Sequence, residues 1–357
     1  MTYYSDPPIL IDADRFAGEV GGQAAAFFVL RNTRGMTACV TSYGAKIEQL
    51  LVPGSDGQLR DVVLGYDSLD AVINGAPSVG AFIGRYAGRI AHARFSLDGQ
   101  RYRLSANNGP HCLHGGLHGS RLRVFDAVQQ TASSVEMSYV FADGEEGFPG
   151  TLALRLTYSL TQANELVIDY KATALERATI ASFTTHGFFN LDGDAAGNGL
   201  AHEVTIFASQ YLGSDAELIN TGDILAVEGT AFDFRQPVRI DSRAGTGLMV
   251  DGYDVCYVID KPGNENLTIA ARVRAPTSGI VMEVWSTEPA LQFFTGLHAG
   301  EPLQGGRGKN GVRYLQQQGL CFEPQCYPNA PNCPGFPSAR LDVGQSKAAT
   351  TVYRFSA

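Results

Sequence analysis

The chain has 357 residues, 44% of them apolar and 18% charged, which is ample for a large core and unlike a disordered chain. Lys and Arg number 27 against 36 Asp and Glu, a net charge of −9 with no basic run, which argues against nucleic acid and anionic membranes as partners. The N-terminus, MTYYSDPPILIDADRF, lacks a positive start and a long apolar core, so no signal peptide is expected, and no apolar run reaches membrane-spanning length.

Gln23 to Leu30 and Met36 to Val40 read as a hairpin across Asn32-Thr33-Arg34-Gly35. Ala45 to Val52 is a further strand, and Asp56-Gly57 turns it toward a strand over Val62 to Gly65. Ser68 to Asn74 is a short helix, with Ser68 as N-cap and Gly75 ending it. The stretch from Gly84 to Gly116 then holds Arg89, an alternating run Ile90 to Leu97, the turn pair Asp98-Gly99 and a return strand Arg101 to Ser105. Asn107-Asn108-Gly109-Pro110 breaks it and delivers Leu113-His114-Gly115-Gly116. The hairpin folds both ends toward one side, so Arg89 and His114 can share a site. Taken singly, each is better read as a surface arginine and a histidine packed in a turn.

Val135, Met137, Tyr139 and Phe141 alternate with polar residues, as do Leu152 to Leu160 and then Leu166, Ile168 and Tyr170. Period two over three successive segments means antiparallel strands with one buried face each. Later strands cover Glu203 to Ser209, Val255 to Ile259, Leu267 to Val273, Gly279 to Ser286, Leu291 to Thr295 and Thr350 to Phe355. Pro324 to Pro337 reads as an ordered, irregular loop. No βαβ rhythm, repeat or linker appears. The fold class is all-β, a large antiparallel β-sandwich, with residues 1–357 as a single domain.

Six cysteines, Cys39, Cys112, Cys256, Cys321, Cys326 and Cys333, form no C-x-x-C pair, so free thiols in a reducing, cytoplasmic setting are expected. His111, His114 and His118 have a spacing that three zinc ligands could use, but the glycines around them make a turning loop and no metal is expected.

Four further places carry chemistry. His186, in Thr184-Thr185-His186-Gly187-Phe188, is a residue type that titrates near neutrality and so suits proton transfer; a satisfied buried histidine is the alternative. Asp254 precedes a strand and either accepts hydrogen bonds from hydroxyls or ends a turn. Glu288 follows a strand that holds the only tryptophan, Trp285, whose core role outweighs stacking on a sugar. Glu323 lies between Phe322 and Pro324, where desolvation would raise its pKa toward that of a useful base; a loop glutamate is the alternative.

Together the segments GRYAGRI, LDGQRYRL, NNGPHCLHGG, DGEEGFPG, THGFFNL, LINTGDI, STEPALQFFTG and the Glu323 segment with its Pro-Asn loop resemble the aldose 1-epimerase (galactose mutarotase) family, in family order along nearly the whole chain. The resemblance implies a galactose mutarotase-like supersandwich with a sugar cleft across one sheet. It implies Glu323 as general base and His186 as general acid, on opposite sides of a bound ring. Arg89, His114, Asp254 and Glu288 would bind the sugar. A base takes the anomeric proton, an acid protonates the ring oxygen, the ring opens, C1–C2 rotates, and the ring closes on the other face. Only protons move, so no cofactor is implied. The partner is a free aldose, and the assembly a monomer or homodimer. Gly88, Thr185, Phe188, Val255 and Pro324 depart from the family's usual residues, which leaves the preferred sugar open. Two other functions stay in view: a glycoside hydrolase using paired carboxylates such as Glu288 and Glu323 or Asp254 and Glu323, and a non-catalytic sugar-binding protein on the same fold. A phosphosugar epimerase would need a cluster of Lys or Arg beside the cleft, and none is identifiable.

Overall fold

A computed structural model describes residues 9–243, 252–261, 266–296, 303 and 307–357. Residues 1–8 of the N-terminal stretch weighed as a leader lie outside them. Among the described residues, the alternating segments become a nine-stranded antiparallel sheet. Its order is Asp126–Thr131, Ser134–Phe141, Leu152–Leu160, Glu165–Ala174, Ser346–Ser356, Val281–Ser286, Thr268–Arg274, Glu203–Ile206 and Val238–Arg239. A six-stranded sheet runs Phe188–Phe189, Leu320–Gln325, Ala290–Phe294, Asp254–Val258, Gln210–Ser214 and Asn220–Ala226. A four-stranded meander, Phe27–Arg31 to Leu59–Asp61, completes the main sheets. No helix among the described residues is long and apolar enough to cross a membrane.

The period-two pattern decides what lies between the two large sheets. Leu154, Leu156, Tyr158, Ile168, Met282, Val284 and Tyr353 from the nine-stranded sheet share one buried cluster with Leu291, Phe293, Leu320, Phe322 and Tyr257 from the six-stranded sheet. The residues between these, on the six-stranded sheet's other face, are the polar ones: Asp254, Gln292, Glu323 and Gln325. A core on one face thus sets the direction of the chemistry on the other.

Several boundaries differ from expectation. Val62 to Gly65 is not a strand; the strand is Leu59–Asp61, and the chain then leaves the meander. The Val62 N–H bonds Leu50 O, the Leu64 N–H bonds Phe188 O, and Val63 bridges to Phe189, so this segment links two sheets. The run from Ile90 to Leu97 is broken at Ala91–Ala93, where His92 has φ 52°, and the hairpin is Arg94–Leu97 with Gln100–Arg103 across Asp98-Gly99. There, the N–H groups of Ala91 and His92 bond Asn329 Oδ1 and His111 Nδ1 instead of a ladder. The strand Leu320–Gln325 absorbs the start of the expected Pro324–Pro337 loop. Trp285 is not in the core: it points outward from the nine-stranded sheet, half-buried, with the Arg354 guanidinium 5.2 Å from its ring. Ser68 caps the helix Leu69–Asn74 as expected, its Oγ accepting the Ala71 N–H.

Candidate active site

Three neighbouring strands present a polar row. Gln292 pairs in register with Glu323 on one side and with Cys256 on the other, while Asp254 pairs with Phe294. Gln292 Nε2 donates to Asp254 Oδ1 at 2.5 Å, and the Arg89 guanidinium lies 3.5 Å from Asp254 Oδ2. Arg89 also donates through Nε to Asn108 Oδ1. The expected convergence of Arg89 and His114 is present: Arg89 pairs with Leu113 in a two-residue ladder, and the Gly88 N–H donates to His114 Nδ1. Gly88 has φ +77°, and a Cβ there would stand 2.8 Å from Pro328. A side chain there would adopt the left-handed backbone region and have to displace Pro328. Arg121 holds the His114 turn from behind by donating to the carbonyls of His114 and Gly116.

His186 follows the short strand Thr184–Thr185, and its N–H bonds Ala81 O. Its ring stacks on Phe188 at 5.0 Å and meets His114 edge-on at 5.3 Å. Phe188, another departure, is therefore a wall that orients the imidazole. Thr185 shares a hydrogen bond with the Tyr353 hydroxyl behind the site, and Val255 belongs to the core. His186 Nε2 lies 3.6 Å from Glu323 Oε1. The two side chains stand side by side on the cleft wall.

These groups line a cleft of about 310 Å³ together with Ser78, Val79, Asn220, Phe294 and Gln325. This is at the small end of ligand clefts, which run about 300–1,000 Å³. Glu323 Oε2 and Gln325 Oε1 are buried with no hydrogen-bond partner. Buried acceptors without partners are costly unless a ligand donates to them. Burial, with nearby Asp254 adding to it, pushes Glu323 well above the usual carboxylate range, although Arg89 pulls the other way. Burial likewise raises Asp254 against the pull of Arg89. Desolvation pushes His186 down to about 4, and lowers His114 well below its usual value.

Glu288 does not join this row. It is buried beneath a second cavity, accepting from the Tyr170 hydroxyl and from Lys347 Nζ. The residue that sequence reasoning missed is Gln292, four positions on. Its signal was available in the alternation of Leu291 and Phe293, which leaves Gln292 on the opposite face. Gln325, two residues past Glu323, was legible by the same rule.

His111 and His118 do not join His114. The His111 ring lies against Glu217 and accepts from the His92 N–H, and His118 is exposed. A different trio, His114, His186 and Glu323, offers donor atoms all within 4.8 Å of one another.

A family model described as Aldose 1-epimerase matches residues 27–354. The galactose mutarotase of Bos taurus is 40% identical over 321 residues, 89% of this chain and 90% of that protein. The aldose 1-epimerase of Escherichia coli (strain K12) is 34% identical over 342 residues, 94% of this chain and 96% of that protein. Among solved structures, a GalM/aldose epimerase homologue from C. elegans superposes with a TM-score of 0.85 at 30% identity, over 93% of this chain and 99% of that one. A galactose 1-epimerase from Lactobacillus acidophilus NCFM, at 24% identity and a TM-score of 0.79 over 95% of this chain and 96% of that one, shares the fold.

Proposed function

The chain belongs to the aldose 1-epimerase family and interconverts the α and β anomers of aldoses, and on that premise we propose that Glu323 is its general base and His186 its general acid. Glu323 takes the anomeric hydroxyl proton while His186 protonates the ring oxygen. The ring opens, the C1–C2 bond rotates, and closure on the other face runs the two roles in reverse. The observation that carries this assignment is the 3.6 Å pairing of His186 and Glu323 on the cleft wall, with one Glu323 oxygen unpartnered. Arg89, His114, Asp254 and Gln292 bind the hydroxyls. Gln292 takes the place expected of Glu288.

The substrate is a free monosaccharide. The cleft is small, and Arg89 is the one Lys or Arg among its described lining residues, already facing Asp254. Among the described residues, that leaves no cluster of cations for a phosphate. No cofactor or metal takes part, since only protons move. A hydrolase pair of Glu288 with Glu323 is disfavoured because Glu288 lies outside the cleft. We assign residues 1–357 to one aldose 1-epimerase domain, supported by the position of Ser346–Ser356, the last strand, in the middle of the nine-stranded sheet. One chain supplies every named site residue, so a monomer suffices and a homodimer adds none. Six free, buried cysteines support the cytoplasm as its compartment. Polarimetry on freshly dissolved α-anomers of several aldoses tests the activity. Release of sugar from glycosides without faster anomer equilibration would refute it.

The pKa shifts give the pH dependence a sign. With His186 lowered to about 4 and Glu323 raised, the resting pair carries a single proton, on the carboxyl. The reactive form, carboxylate beside imidazolium, has the same proton count and is reached by transfer across the gap. Below about pH 4 the pair gains a second proton, and above the raised Glu323 value it loses its only one. After subtraction of the spontaneous rate, kcat/KM is therefore expected to be bell-shaped, with its acid limb near 4 and its limits belonging to the pair. An enzyme-dependent rate that keeps rising below that limb contradicts the assignment.

Arg89→Ala removes a fixed donor and leaves Asp254 without its cation. We expect KM to rise about 10–10²-fold, the loss from a charged hydrogen bond of about 1.5–3 kcal/mol, with kcat falling as well. Initial rates against sugar concentration check this, and an unchanged KM would remove Arg89 from the sugar contacts.

A further inference from the structure

Outside the cleft, one pair of side chains stands apart. Lys347 Nζ lies 2.7 Å from Cys326 Sγ and 2.9 Å from Glu288 Oε2. N–H···O bonds span about 2.7–3.2 Å, and sulfur is a larger atom than oxygen, so an ordinary N–H···S contact sits farther out. The separation here matches what a single oxygen bonded to both atoms would bridge, with no movement of either strand. Lys347 lies in the strand Ser346–Ser356, and Cys326 directly follows the strand Leu320–Gln325. The contact therefore joins the two large sheets at one point.

We propose that Cys326 and Lys347 form an oxidative covalent crosslink, a sulfur–oxygen–nitrogen bridge between the two side chains. The oxidant is dioxygen or hydrogen peroxide. With dioxygen, thiol, amine and O₂ give the S–O–N bridge and one water. The S–H bond and one N–H bond break, and the S–O and N–O bonds form. Sulfur and nitrogen together give up four electrons, which reduce both oxygen atoms. Lys347 reacts as the free amine only after its extra proton leaves to solvent through the adjoining cavity, because Cys326 and Glu288, outweighing burial, hold the ammonium above its usual range. With peroxide, two molecules are consumed and three waters leave.

The surroundings favour this product over simple thiol oxidation. A cavity of about 600 Å³ opens onto Lys347, Glu288 and Tyr170, wide enough for small oxidants. Burial and Glu288 push the Cys326 thiol up to about 11 despite Lys347, so it reacts poorly as a lone thiolate. All six cysteines are buried and free, and among the described residues Cys326 alone lies within hydrogen-bond reach of a lysine amine. Cys39 faces Gln49, Cys321 faces His186, and Cys333 faces Asn329 and Asn220.

The test is intact-mass spectrometry of the full chain, held under thiol reductant and then exposed to air or hydrogen peroxide. The expected result is a gain of about 14 Da, one oxygen gained and two hydrogens lost, which a thiol reductant reverses. Tryptic digestion should then find Lys347 uncleaved and its peptide joined to the one holding Cys326. Cys326→Ser and Lys347→Arg should each abolish the gain while circular dichroism stays unchanged; Arg keeps the charge on Glu288. The proposal is overturned by gains of about 16 or 32 Da on the Cys326 peptide alone, by no gain, or by a 14 Da gain that persists in Lys347→Arg.

Discussion

Replacing Glu323 with Gln is expected to lower kcat for mutarotation by about 10²–10⁴-fold while the protein stays folded. The substitution keeps size and hydrogen bonding and removes basicity. It also removes a buried carboxyl whose second oxygen has no partner in the protein, so stability has little to lose. His186→Asn should cause a drop of similar size, because it deletes the partner 3.6 Å away that holds or returns the proton. The double variant should be far less than multiplicatively worse, since acid and base act as one unit. Polarimetry gives the rates, and circular dichroism gives the folding control. A folded Glu323→Gln protein with near wild-type turnover on every aldose the parent accepts would sink the assignment, and Asp254 would then be the next carboxylate to test.

Lys309→Met is expected to cost about 3–5 kcal/mol of folding stability, the usual cost of stranding one member of a buried ion pair. Lys309 is buried and reaches Asp61 Oδ2 at 2.7 Å and the carbonyls of Val63 and Glu48 at 2.7 and 3.0 Å. Asp194 adds a second carboxylate at 3.7 Å. These contacts fasten the segment that crosses from the meander to the Phe188–Phe189 strand, directly behind Phe188 and His186. Removing the ammonium leaves Asp61 buried without its cation and two carbonyls without their donor. Urea denaturation measures the loss as a lower midpoint, and the deficit should shrink in acid as protonation of Asp61 removes the stranded charge. A midpoint corresponding to less than about 1 kcal/mol would mean that the surroundings relax enough to rehydrate Asp61.

Much of this architecture was legible in the residues themselves. Alternation from Val135 to Tyr170 specifies strands because a pleated backbone has only two faces and one must be apolar. Asp98-Gly99 specifies a tight turn because both residues sit at positive φ, 52° and 76°, at low cost. Ser68 specifies a helix start by supplying an acceptor to an otherwise orphaned N–H. The motif segments around Arg89, His114, His186, Asp254 and Glu323 likewise marked residues that the structure gathers into one cleft.

Tertiary structure decided the rest, for reasons that act over long separations. Period two says that Gln292 and Leu291 face opposite ways, but only the pairing of Gln292 with Glu323 and Cys256 says which face meets the sugar. Glu288 carries the same chemistry in the sequence, yet its position just before the strand turns it under another cavity, toward Tyr170 and Lys347. The side-by-side stance of His186 and Glu323 follows from packing of elements far apart in the chain, as does the ion pair of Lys309 with Asp61 and the closeness of Cys326 to Lys347. Local sequence sets the conformation and face of each strand. Which faces meet, and at what distance, is set by the shared core, where Phe322, Phe293 and Tyr353 leave one register that buries them all.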